Sequence, residues 1–275
     1  MKSLKTLVST LLGVAFSVAV LEIDHGNKAV AQVRTPCLPT HTTADLQNIT
    51  CTVAAQTYGI TIYKIAICTD NPMPSGVPVL ASCESIYNNP SGQYVDLGVS
   101  NPQFANIGLD PGSTFPPRSG TYNFIYLQIG TTWNIKATAT VASGTWYTST
   151  ALYPDGGGQN TATQTVGSYA VFPNVLTRFD SACQEDNTYG GKGVLLTSSL
   201  QPISLSGGVC PGAAYTALSA STTSLLGAPV VITDKTANLN LKFKTTQDSI
   251  GLWAASDGTY VFGSLGFQLS LTTSN

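Results

Sequence analysis

The chain has 275 residues, with 12 Lys+Arg against 14 Asp+Glu and a formal net charge of −2. Charge this sparse, with no basic patch, gives nucleic-acid binding no electrostatic support. The length suits one large β-domain or two small ones, so a sizeable core is available and crosslinks need not carry the fold alone.

Met1-Lys2-Ser3-Leu4-Lys5 is a short basic segment, and Leu7 to Leu21 is an apolar stretch without a charge. Glu22, Asp24 and Lys28 end it, and Ala29-Val30-Ala31 places small residues at the two positions a signal peptidase reads. This is the layout of a secretory signal peptide over residues 1–31, with cleavage expected after Ala31. A transmembrane helix needs about 20 apolar residues to cross a ~30 Å hydrocarbon core, and this run is shorter. The polar stretch before Ala31 is long for a signal, which leaves an uncleaved anchor as the alternative. A type IV pilin leader fits less well, because a cut after Gly13 leaves no glutamate near the new N-terminus. No later segment is apolar enough to span a bilayer, so no transmembrane segment is expected after cleavage. Removing Lys2, Lys5, Lys28, Glu22 and Asp24 leaves 9 Lys+Arg against 12 Asp+Glu in residues 32–275.

Periodicity beyond the leader points to strands. Tyr58 to Cys68 is a long β-branched run whose apolar phase shifts near Tyr63, as a bulge or a position buried on both sides would cause. Asn88-Asn89-Pro90-Ser91-Gly92 reads as a break. In Tyr122 to Ile129, Tyr122, Phe124 and Tyr126 share one face while Ile125, Leu127 and Ile129 share the other, which predicts a strand buried on both sides. Trp133 to Val141 alternates apolar and polar residues without error, and Asn238 to Lys244 does the same, so each places its apolar set on one face. Pro211 to Leu226 has Ala and Leu enough for one helix, but its Ser/Thr content argues against a stable one. Asp257-Gly258, between Ile250–Ala255 and Thr259–Leu271, is a hairpin signal.

Roughly a dozen short strands separated by such turns predict an all-β, antiparallel β-sandwich, one large or two small, stapled by disulfides. Residues 154–168 are rich in Gly, Gln, Asn and Thr. They read as a linker or surface loop between a β-sandwich domain at 32–153 and a second β domain at 169–275; a single domain over 32–275 is the alternative. No internal repeat of fixed period is present.

All six cysteines, Cys37, Cys51, Cys68, Cys83, Cys183 and Cys210, lie beyond Ala31. An even number in an exported chain predicts three disulfides. Sequence order favours Cys37–Cys51, Cys68–Cys83 and Cys183–Cys210, each stapling neighbouring segments; a loop of the Cys68–Cys83 size contributes about 3 kcal/mol. With no CxxC and His41 as the one histidine after processing, zinc lacks a ligand set, and no cofactor is expected.

Catalytic machinery is hard to assemble from these residues. A Ser-His-Asp triad needs a histidine base, and His41 sits in Thr40-His41-Thr42-Thr43 with no GxSxG elbow anywhere, so it reads as a surface histidine. Asp180, Glu185 and Asp186, with Asn187, are the densest acidic group. Paired carboxylates can run glycoside hydrolysis, and three carboxylates with an amide can hold calcium, but the simpler reading is a solvated loop beside a disulfide. Asp155 before three glycines is turn chemistry, and Gly190-Gly191-Lys192-Gly193 lacks the P-loop pattern.

Aromatic residues are the remaining candidates. Trp133, Trp146 and Trp253, with Tyr147, Tyr153 and Tyr169, could form a surface for stacking sugar rings. Trp133, in phase with Ile135 and Val141, reads as core. Trp146 and Tyr147 are adjacent, so a strand turns them to opposite faces and exposes one as a candidate ligand-stacking residue. Near the C-terminus, Val261, Leu265, Phe267, Leu269 and Leu271 share one face. Pairing within its own sheet is favoured for that strand; the alternative is self-association with another subunit.

The run Ile62-Tyr63-Lys64-Ile65-Ala66-Ile67-Cys68-Thr69-Asp70, with Cys83 following, resembles a segment of secreted β-rich proteins of marine bacteria: a hydrophobic strand ending in Cys-Thr-Asp, a short loop and a second Cys. Gly120 to Gly130 is similar in character, and the resemblance covers at most residues 58–140. It implies export and a β-fold and brings no activity or catalytic residue. The chain is therefore expected to be secreted, periplasmic or at the cell surface. Its expected role is non-enzymatic, structural or adhesive. A carbohydrate-binding module contacting a cell-surface glycan and a carboxylate-dependent hydrolase are the alternatives.

Overall fold

A computed structural model of the protein describes residues 34–98, 117–154, 158–179, 182–187, 191–236, 238–245 and 247–274. The leader, its cut after Ala31, Asp155, Asp180 and Gly190 lie outside the described residues.

Dense Thr, Val, Ile and Tyr content makes extended chain the local preference, and the described residues are all-β. In chain order they form β1 (Arg34–Pro36), a one-turn α1 (Thr43–Leu46), β2 (Thr50–Val53), β3 (Thr57–Cys68), β4 (Cys83–Asp96) and β5 (Gly120–Tyr122). There follow β6 (Phe124–Gly130), β7 (Thr132–Lys136), β8 (Thr138–Val141), β9 (Gly144–Tyr147), β10 (Asn160–Thr161) and β11 (Phe172–Val175). The remainder is β12 (Gln184–Asn187), β13 (Gly191–Leu196), β14 (Tyr215–Ser221), a short α2 (Thr222–Leu226), β15 (Val230–Ile232), β16 (Asn238–Lys244), β17 (Ile250–Ala254), β18 (Tyr260–Ser264) and β19 (Gln268–Ser274).

The largest sheet is built on β3. On one side β3 pairs with β4; on the other it pairs first with β7 and then with β6, which lie end to end along it. β11 extends the sheet beyond β7, and β14, β13 and β12 extend it beyond β6. A second sheet runs β1-β2-β17-β18-β10, antiparallel except for the β1–β2 pair. Strands from both sides of residues 154–168 thus interleave within the same sheets. That stretch itself contains β10, and Gln159 and Asn160 are fully buried. The Asn160 side chain bonds Ser149 and Ala151, which a free linker would not do.

The two sheets share one main core. Tyr58 of β3 and Ser264 of β18, both buried, join hydroxyls at 2.5 Å, and Ser264 N–H donates to Asn174 Oδ1 on β11 at 2.8 Å. Tyr58 also lies against Trp133 and Phe267, with ring centroids 6.1 and 6.3 Å apart. The perfect alternation at 133–141 is explained by burial: Trp133, Ile135, Ala137, Ala139 and Val141 all point into this core. Leu239, Leu241 and Phe243 do the same from β16. β19 pairs with β16 over its whole length, so the apolar C-terminal face is buried within its own chain.

β6 is buried on both faces, as its two apolar sets predict, but Tyr122 leaves the expected strand and face: it ends the separate β5 and is buried in the main core. Ile125, Leu127 and Ile129 enter the main core, while Tyr126 enters a smaller cluster on the other side of the sheet with Ala66, Cys68, Met73, Val194, Leu196 and Ala217. The phase shift at Tyr63 is a bulge: between Ile62 and Lys64, β3 spends two steps against one on β6.

Two expectations about local structure change, and a third, that Pro211–Leu226 holds no long stable helix, stands in more detail. Asn88–Gly92 is not a break between elements but a kink inside β4: Ile62 pairs Gln93 and Lys64 pairs Asn88, so the intervening residues arch outward opposite Tyr63. Asn89 Oδ1 accepts from Ser91 N–H, and Gly92 takes φ 75°, which makes the arch possible. Thr259–Leu271 is not one strand: after the Asp257-Gly258 turn, β18 stays with β17, and the chain crosses at residues 265–267 to pair β19 with β16. Pro211–Leu226 becomes strand β14 followed by α2, whose Ser221 caps the Ser224 N–H and whose end is closed by Gly227 at φ 75°.

Candidate functional site

The sequence candidates Trp146 and Tyr147 lie on β9, whose hairpin with β8 places Ala139 opposite Trp146 and Thr138 opposite Tyr147. Strand geometry turns the two rings to opposite faces, and both are half-buried. One face of the Trp146 indole is covered by Tyr260 of β18, with centroids 4.1 Å apart and planes 14° from parallel. Its Nε1–H donates to Ser143 Oγ at 3.0 Å, and Ser143 donates in turn to the Tyr260 hydroxyl at 2.8 Å. Thr43 Oγ1 lies 2.7 Å from the same hydroxyl. Tyr260 thus gathers the β8–β9 hairpin, through Trp146 and Ser143, and α1, through Thr43, onto the second sheet.

Tyr147 meets a different group. Its ring lies 5.1 Å from that of Tyr169, tilted by 54°. Lys136 Nζ sits 4.3 Å from the centre of the Tyr169 ring, an arrangement a cation favours over a π face. The Tyr169 hydroxyl donates to Gln56 Oε1. Burial pushes the Tyr169 phenol up, a hydrogen bond with Thr138 pulls partly against that, and the neighbouring Tyr147 adds to the rise. Tyr147, Tyr169, Lys136, Thr138 and Gln56 therefore form a half-exposed patch of two tilted rings, a cation and amide and hydroxyl groups.

The other aromatic candidates are not brought there. Trp133 is buried, with its Nε1–H on Gly130 O at 3.1 Å. Trp253 lies across Gly263, where an added Cβ would stand 2.7 Å from the indole. Tyr153 is half-buried in the turn before β10, its N–H donating to Gln159 O.

The remaining candidates disperse. Glu185 and Asp186 are consecutive on β12, so their side chains diverge, and Asp186 is held by Lys192 Nζ at 2.6 Å across the strand pair. Among the described residues no group of three His, Cys, Asp or Glu side chains is placed to hold a metal ion. His41 is half-buried, and its Nδ1 accepts from Leu38 N–H at 3.3 Å and closes the turn before α1. The cysteines join as sequence order favours: Cys37–Cys51, Cys68–Cys83 and Cys183–Cys210, leaving none free.

Sequence reasoning missed Tyr260, Ser143, Lys136 and Gln56. Tyr260, Lys136 and Gln56 reach their aromatic partners from distant segments, which no local pattern marks, while Ser143 lies three residues before Trp146 in the β8–β9 turn. Set against family models, curated proteins and solved structures, the chain matches none of them.

Proposed function

We propose that the chain is an exported, non-enzymatic β-protein of the cell surface or extracellular space, with a structural or adhesive role. The observation that carries this reading is the use of all six cysteines in three disulfides, a pattern that fits a non-cytoplasmic, oxidising compartment. No helix among the described residues is long and apolar enough to cross a membrane. The edge strand β4 adds support, because its outward arch and Pro90 block a stray strand from adding to the large sheet, a protection useful at high local concentration. Sizing and electron microscopy of native material test the role. Assembly or retention at the surface supports it, whereas a strictly monomeric protein shed from cells counts against a structural role.

A second reading is favoured by the Tyr147–Tyr169–Lys136 patch: binding of a glycan whose apolar ring face rests on the tyrosines. Tyr147 and Tyr169 are better suited to it than Trp146, whose ring is engaged with Tyr260. A glycan array tests it with Tyr147→Ala and Tyr169→Ala as controls. Binding lost in both variants supports the reading, and no binding by the unmodified protein ends it.

A further inference from the structure

The segment between Cys68 and Cys83 does more than turn the β3–β4 hairpin. It lies as a strap across the outer face of the large sheet. Met73 is fully buried there against Ala66, Tyr126, Ala217, Val194 and Leu196, and Leu80 packs at the margin. Ala66 stands directly opposite Tyr126, and Ala217 directly opposite Val194, so these side chains form a continuous apolar row across neighbouring strands. The far end of the strap is at Gly76, where an added Cβ would stand 2.5 Å from Gln184 Oε1 on β12.

The reach is consistent with the chain length. From β3 the strap crosses β6, β14 and β13 to β12, four strand spacings of about 4.8 Å, or about 19 Å. Residues 69–76 supply about 25 Å of extended chain at about 3.3 Å each. Inside the strap, Val79 N–H donates to Pro72 O at 2.8 Å, Gly76 N–H to Met73 O at 3.3 Å and Met73 N–H to Asn71 Oδ1 at 2.9 Å. Besides the disulfide, its base is tied by Thr69 N–H to Ser82 O at 3.0 Å, by Cys83 N–H to Leu80 O at 3.1 Å and by the Asn123 side-chain amide donating to Thr69 O at 3.0 Å. The cover is therefore a loop with few bonds of its own, closed across its ends by Cys68–Cys83.

We propose that strap 69–82 is a redox-governed cover: Cys68–Cys83 holds it over the apolar row, and in the dithiol form the strap lifts and exposes that row. Closure passes two electrons and two protons from the thiols to a disulfide-bearing oxidant, which leaves as a dithiol. Opening is the reverse exchange with a dithiol reductant. Where closure occurs in the cell rests on the export reading; the opening itself does not.

The test uses the mature protein and its Cys68→Ala/Cys83→Ala variant, with Cys37→Ala/Cys51→Ala as comparator. Loss of a 15-residue closure is expected to speed amide exchange at Met73, Gly76 and Val79 about a hundredfold. It should also raise binding of a hydrophobic dye, while circular dichroism keeps its β signal. The comparator should leave the strap amides slow. Met73→Asp, with both cysteines intact, should also raise dye binding, because it removes the plug without touching the link. Unchanged strap exchange in the Cys68→Ala/Cys83→Ala variant overturns the proposal. So does global loss of β signal in that variant, since the disulfide would then be holding the whole sheet. Export is read separately, by fractionation, so failure of one idea does not carry the other.

Discussion

Tyr58 offers the sharpest test of how the two sheets are held together. Its side chain is fully buried and its hydroxyl meets Ser264 Oγ at 2.5 Å. Removing the hydroxyl with Tyr58→Phe leaves Ser264, 1% exposed, without that partner and should cost about 1–3 kcal/mol. Ser264→Ala should cost about 1 kcal/mol, because a backbone bond with Gly266 still serves the phenol. The double variant replaces both polar groups with apolar ones and should cost clearly less than the sum, with a coupling of about 1 kcal/mol. Tyr58→Ala also deletes the ring packed on Trp133 and Phe267 and should cost about 3–5 kcal/mol. Urea unfolding at neutral pH is the assay, with the slope checked for constancy so that midpoint shifts report stability. Strictly additive single and double variants would refute the claim that this pair links the sheets.

Three further outcomes follow from the same structure. Burial pushes the phenols of Tyr58 and Tyr126 well above the ordinary value of 10.0. The unfolded chain releases these protons near pH 10 while the folded chain keeps them. Stability is therefore whole below about pH 10 and falls above it, by up to about 1.4 kcal/mol per pH unit for each tyrosine. Unfolding measured from about pH 8 to 11 checks this, Tyr58→Phe should flatten the fall, and a flat profile in the unmodified protein contradicts it. Gly158 has φ 75° and an added Cβ would stand 2.1 Å from Val175 O, so Gly158→Ala should cost more than about 2 kcal/mol. Gly258, at φ 82° with nothing within 4 Å, should lose only about 1 kcal/mol as alanine. Equal costs in thermal unfolding would mean that residue 158 is not packed on β11. Trp146→Ala should lower stability by about 2–3 kcal/mol through loss of its stack on Tyr260. No change would place the ring in solvent.

What could be read from the sequence follows the range of the interactions. Alternation at 133–141 and 238–244 reports a local backbone period, so burial on one face was legible before any contact was known. The phase shift at Tyr63 was legible for the same reason, but choosing a bulge over a position buried on both sides needed the pairing register. The disulfide pairs were legible because each closes a short separation. Strand order was not: β17 lies beside β2 and β14 beside β6 through pairings between distant segments, which no local pattern encodes. The arch in β4 also escaped, because Asn-Pro-Ser-Gly has the same composition inside a kinked strand as in a turn between two strands. At the candidate site, the adjacency of Trp146 and Tyr147 showed that they face opposite ways. Which ring would be engaged depended on Tyr260 and Tyr169, placed there by the tertiary fold.

The central proposal is that this protein, stapled by three disulfides, is exported. Fractionation of the producing cells, followed by non-reducing mass spectrometry of the recovered protein, tests it most directly. The account predicts a species spanning residues 32–275, recovered outside the cytoplasm, with no thiol open to alkylation and a mass about six hydrogens below the reduced chain. A chain recovered from the cytoplasm with its leader attached and its cysteines free would contradict it.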